Sequence, residues 1–197
     1  MAIIYDAQLS PSKDEIVHRW IRRQPWFAGK GADRLRNVAA YRFDDPDGEV
    51  GMEAHLVKDT LGNLYHVPLT YRPGPLDDAD AYFITEMEHS VLGTRWVYDA
   101  SGDPTYLQTL KRVLSGKQAQ ADEFLDQEAP ENEIEKTFLV ELERAGSSVN
   151  LASGDLHYLA SCIDHTPDRT AGGVSGLIGH FPNSDQRFVL IRTSNPR

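Results

Sequence analysis

Seven histidines, His18, His55, His66, His89, His157, His165 and His180, are the side chains best suited to bind a metal or move a proton near neutral pH. Zinc chemistry needs such ligands at a fixed spacing. The sequence contains no H-x-x-x-H pair and no H-E-x-x-H motif, so no metal is expected. Cys162 is the lone cysteine, which excludes an internal disulfide and a cysteine-based zinc site. His157 and His165 flank it in sequence, but nearness along a strand does not make a nucleophile–base pair, and Cys162 reads as a buried, inert thiol. No serine occupies a G-x-S-x-G elbow. Ala28-Gly29-Lys30-Gly31 has the glycines of a phosphate cradle. A P-loop runs from strand to helix, whereas these glycines follow a helix and precede a strand, so they read as a tight turn.

Ser153-Gly154-Asp155-Leu156-His157 resembles the H-G-D-L-H catalytic loop of small-molecule kinases of the aminoglycoside phosphotransferase type. In such a loop the Asp serves the acceptor hydroxyl and a later Asn or Gln holds magnesium. Ser153 stands where the leading His belongs, Ala160 stands at the metal position, and no D-F-G or D-F-E triplet follows. No catalytic residue and no cofactor is therefore assigned, and Asp155-Leu156-His157 reads as a turn into a strand.

The elements that position these groups are legible from local patterns. Ser12 and Glu15 form an S-x-x-E capping box, and Ile16, Val17, Trp20 and Ile21 recur at helical spacing. Arg22 and Arg23 are expected in the last turn, with Pro25 ending the helix. Val38–Phe43, Glu49–Lys58 and Leu64–Tyr71 read as strands joined by Asp44–Gly48 and Asp59–Asn63, an antiparallel meander with one buried and one wet face. The first helix is expected to cover the buried face. On paired strands His55 and His66 could be cross-strand neighbours.

Tyr82–Met87 reads as a fourth strand. Pro104–Leu114 reads as a second helix, capped by Asp103 and stopped at Gly116. Residues 117–135 are polar and read as a linker or surface helix. Thr137–Glu143, Asp155–Ile163 and Arg187–Arg192 are strand candidates, and Gly172, Gly173, Gly176 and Gly179 suggest a loop or weak strand.

The chain has 197 residues and a formal charge of −10, from 20 Lys+Arg against 30 Asp+Glu. That balance argues against nucleic acid and against an anionic membrane surface as partners. No apolar run approaches the about 20 residues that span a bilayer, and the first residues lack a signal-peptide pattern. A cytoplasmic location is expected.

One ordered set of motifs stands out. Arg22-Arg23-Gln24-Pro25-Trp26-Phe27-Ala28-Gly29-Lys30-Gly31 ends the first helix, Tyr65-His66-Val67-Pro68-Leu69-Thr70-Tyr71-Arg72 ends a strand, and Tyr98-Asp99-Ala100 precedes Asp103-Pro104 and a helix. Over about residues 5–115 this order resembles the N-terminal cap domain of bacterial maltokinases, without the kinase body that should follow.

The resemblance implies an α+β fold: a curved antiparallel sheet, cystatin-like in arrangement, flanked by helices, to which the strand candidates read after residue 135 add extra C-terminal strands. It implies a cap-like domain at 1–116. Residues after Lys117 lie outside the resemblance: 117–135 reads as a polar linker or surface helix, and 136–197 as a β-rich extension expected to pack on the cap, since a lone cap would bare an apolar patch. The expected function is that of a non-catalytic accessory protein in α-glucan, maltose or trehalose metabolism, with a kinase or α-glucan enzyme as partner. The alternative is a small ligand-binding protein or enzyme with a sugar or sugar-phosphate pocket between sheet and helix. Such a pocket would use His55, His66, Arg72 and Glu86. Trp26 could stack on a pyranose with Lys30 beside it, although Trp26 and Phe27 read first as anchors of a turn against the core, leaving Lys30 exposed. Homo-oligomerisation stays open.

Overall fold

The structure is a computed structural model and describes residues 2–125, 133–143, 156–158 and 176–193. Helix α1 (Lys13–Ile21) starts where its capping box dictates: the Ser12 hydroxyl accepts from the Glu15 backbone N–H, and the Glu15 carboxylate accepts from the Ser12 N–H at 2.8 Å. The helix stops earlier than the arginine pair suggested. Arg22 is its C-cap, and Arg23 and Gln24 donate back to the carbonyls of Trp20 and Ile21, turning the chain before Pro25. Helix α2 (Pro104–Leu114) begins as expected, with the Asp103 carboxylate accepting from the Thr105 N–H.

The principal sheet is strongly curled and antiparallel. It contains β2 (Leu9–Ser10), β3 (Leu35–Phe43), β4 (Gly51–Asp59), β5 (Leu64–Arg72), β6 (Phe83–His89) and β7 (Gly93–Asp99), following β1 (Ala2–Ile3) in the chain. The order across the sheet is β2-β6-β7-β5-β4-β3. The β3-β4-β5 meander is present, with Asp59 accepting from the N–H groups of Leu61 and Asn63 to close its second turn. Strand β7 carries no expectation from the sequence, yet it lies between β6 and β5. Gly93 takes φ +74° in the tight β6–β7 connection, a conformation costly for other residues. Helix α1 contacts both β3 and β6, so the curled sheet wraps around it.

Later in the chain come β8 (Glu123–Phe124), β9 (Leu139–Glu143), β10 (Leu156–Tyr158), β11 (Gly176–His180) and β12 (Arg187–Thr193). Strand β8 pairs parallel with β1, and no helix occurs among the described residues of 117–135. The last four strands form a second antiparallel sheet in the order β10-β12-β11-β9. The glycine-rich stretch thus ends in a true strand from Gly176. Gly172 and Gly173, Cys162, His165 and the Ser153–Asp155 part of the kinase-like loop lie outside the described residues.

The expectation of one wet sheet face does not hold. Met52, Ala54 and Leu56 of β4 point into one core with Tyr106, Leu110 and Leu114 of α2 and with Phe138, Leu177, Phe188 and Leu190. Val57 of β4 and Tyr65, Val67 and Leu69 of β5 point the other way, onto Ile16, Val17 and Ile21 of α1. Both faces of the central strands are therefore covered. This is why β5 reads as a nearly continuous apolar run and β4 alternates imperfectly.

Candidate functional site

Under the first turn of α1 the sheet carries a buried polar cluster. Arg42 of β3 pairs in register with Glu53 of β4, and its guanidinium donates to the Glu53 carboxylate at 2.8 Å. Lys13 of α1 reaches the same oxygen and lies over the Tyr71 ring, 5.4 Å from its centre. Arg42 also approaches Glu123 of β8 at 3.7 Å. Burial drives the Glu53 carboxyl up, but Lys13 and Arg42 outweigh it, and the group is held well below the usual carboxylate range.

His55 lies two residues further along the same face of β4. Its Nε2 meets the Tyr71 hydroxyl at 3.0 Å, and Asn37 Nδ2 stands 3.5 Å from Nδ1 while donating to Asp14 at 2.7 Å. Burial lowers its pKa to about 4 despite the nearby Glu53, so the ring is neutral at pH 7. Burial likewise raises the Tyr71 hydroxyl far above its ordinary value, with Glu53 adding to the effect. This cluster stores opposed charges and a neutral imidazole. Its visible chemistry is the docking of α1 onto the sheet.

His66 belongs to a different environment. His55 pairs with Val67 and His66 with Leu56, so the two rings point to opposite faces, and the idea of adjacent histidines is corrected by the side-chain alternation of a strand. The His66 ring stacks on Tyr41 at 5.8 Å, and its Nε2 meets the Tyr41 hydroxyl at 2.8 Å in the other core.

Arg72 ends β5 and is tied to α2. Its Nη1 donates to both Asp103 oxygens at 2.9 Å, and Asp103 is fully buried. Trp26 is half-buried, with its ring 5.9 Å from Trp20 and 6.2 Å from Tyr65. Phe27 is buried against Tyr65 at 5.3 Å, whereas Lys30 is exposed. The Gly29–Gly31 stretch closes a turn through the Ala32 N–H and the Gly29 carbonyl. Glu86 is exposed on β6. The six predicted residues therefore do not converge. Arg72 and Glu86 alone share a neighbourhood, bridged by Trp96 of β7, which pairs with each of them.

Sequence reasoning missed Lys13, Arg42, Glu53, Tyr71 and Trp96. The shared parity of Glu53 and His55 on one strand was the available signal, since two polar side chains on a buried face demand partners. Among the described residues no three His, Cys, Asp or Glu side chains gather as a metal site, and no helix is long and apolar enough to cross a membrane.

A helix cradled by a curled antiparallel sheet, with a second sheet formed by the later strands, defines an α+β fold. Residues 20–103, from Trp20 in α1 to the Asp103 cap of α2, match the family model of the maltokinase N-terminal cap domain, so this stretch of the chain is similar to such a cap. No curated protein matches the chain.

Proposed function

We propose that the protein is a cap-like accessory module that acts by contact with a kinase or another enzyme of α-glucan, maltose or trehalose metabolism. The observation that carries this reading is the match of residues 20–103 to the maltokinase cap. The described arrangement is consistent with it: Glu53, His55, His66 and Arg72 are engaged in holding helices and strands together. In this reading residues 1–116 form the cap-like unit, and 136–197 supply the strands that cover its second face. Phe138, Leu177, Phe188 and Leu190 lie in one core with α2, which supports that division.

The purified chain should be mixed with a maltokinase and with a trehalose-forming enzyme, and the mixtures resolved by size-exclusion chromatography with light scattering. A stoichiometric complex with either enzyme is the expected result. Absence of any complex overturns the reading. So does ATP-dependent sugar phosphorylation by the chain alone, if one point substitution abolishes it.

A further inference from the structure

The sheet face turned away from α1 carries a row of three side chains of which only Arg72 is accounted for by a contact described so far. Arg72 on β5, Trp96 on β7 and Glu86 on β6 are successive register partners, so their Cβ atoms follow one another at about 5 Å across the sheet. Val97 next to Trp96 is fully buried against α1, which sends the indole to the opposite face. There Trp96 is partly exposed, and its ring and indole N–H have no partner among the described residues.

The neighbouring row on that face holds Tyr98 and Phe83, with ring centres 5.5 Å apart, and Phe83 is 42% exposed. On the other side Thr94 donates to Glu88 at 2.9 Å. Arg72 binds Asp103 and Thr105 through Nη1, while Nη2 makes no bond among the described residues. Glu86 is exposed; its carbonyl accepts from the Thr85 hydroxyl at 3.1 Å, and its carboxylate has no partner among the described residues.

We infer that Trp96, flanked by Glu86 and Arg72, is a saccharide-binding platform for an α-glucan chain. The aliphatic face of a pyranose stacks on an indole, and hydroxyl groups at its rim need an acceptor and a donor within reach. Glu86 supplies the acceptor on one side of the ring and Arg72 Nη2 the donor on the other. Phe83 extends the apolar floor toward a second sugar unit. The pinned guanidinium lowers the ordering cost of binding. The choice of an α-glucan rests on the metabolic reading above; the platform itself rests on the register of three strands.

Maltoheptaose should be titrated into the full chain, with binding read by calorimetry and by tryptophan fluorescence. Saturable binding is expected, with a dissociation constant of about a millimolar or tighter. Trp96→Ala should weaken it by about tenfold or more, and Glu86→Gln by about threefold. Trp96→Phe, which keeps a stacking ring, should retain most of it, and Trp26→Phe should leave it unchanged.

Circular dichroism and melting curves establish that each variant is folded. No binding at about 50 mM saccharide, or binding indifferent to Trp96→Ala in a folded variant, overturns the proposal. Self-association abolished by Trp96→Ala without saccharide binding overturns it too and makes the face a contact between copies. A chain that still binds its enzyme partner but no saccharide loses only this inference.

Discussion

Lys13 and Arg42 converge on one carboxylate, that of Glu53, from α1 and from β3. Glu53 is 8% exposed, so this convergence fixes the first turn of the helix against the curled sheet in a nearly dry environment. A buried pair of this kind contributes modestly when intact, because desolvation offsets the attraction. Loss of one partner strands the remaining charges and costs much more.

Glu53→Gln should therefore destabilise the fold by about 3 kcal/mol, since it leaves two cations facing each other without an anion. Urea denaturation at pH 7 measures this. A change below about 0.5 kcal/mol would mean that water already serves Lys13 and Arg42.

His55 predicts a pH dependence with a definite sign. Its folded pKa of about 4 lies below the ordinary histidine value of 6.5, so the unfolded chain binds the proton more readily. Stability from this group is full above about pH 6.5, falls as the pH drops toward about 4, and changes no further below that. Glu53, held low in the folded state, loses stabilisation as the pH falls below its unfolded value and acts in the same direction. Unfolding free energies measured from pH 7.5 to 5 should decline, and His55→Gln should flatten the decline above pH 5. An unchanged slope in that variant would remove His55 as its source.

Arg72 and Asp103 link the end of β5 to the start of α2, and Asp103 also caps that helix. Asp103→Ala removes a cap and leaves a guanidinium facing the buried end of the helix. A loss of about 3 kcal/mol is expected by chemical denaturation, against about 1 kcal/mol for a cap alone. A near-zero loss for Asp103→Ser, which keeps a capping oxygen but not the charge, would show that the ion pair adds nothing.

Gly179 of β11 is held to glycine by packing. A Cβ there would lie 2.1 Å from the Phe138 ring and 2.9 Å from Leu190, both fully buried. Gly179→Ala should cost about 1–3 kcal/mol as Phe138 is forced out of its place. Deletion of residues 136–197 should go further, exposing the apolar groups of α2 and β4, and the product should aggregate or bind a hydrophobic dye. A soluble monomer with native α2 contacts would show that the second sheet covers nothing essential.

Local chemistry made several elements legible in advance. The Ser12–Glu15 box and the Asp103-Pro104 start are settled within a few residues, as are the Asp59–Asn63 turn and the three-strand meander, because capping and turn bonds form between sequence neighbours. Trp26 and Lys30 could be placed at the end of a helix, but whether Trp26 met sugar or core depended on Tyr65, far along the chain.

By itself, then, the sequence determined where both helices begin and where the β3-β4-β5 meander turns, and its ordered motifs pointed to the cap that residues 20–103 match. Only the tertiary structure decided that β7 enters between β6 and β5, that His55 and His66 face apart, that Lys13 lies over Glu53, and that Arg72, Trp96 and Glu86 form one row. Those relations depend on register and on which face each core covers. A shift of one residue reverses every side chain in a strand, and the choice is made by packing between residues distant in sequence.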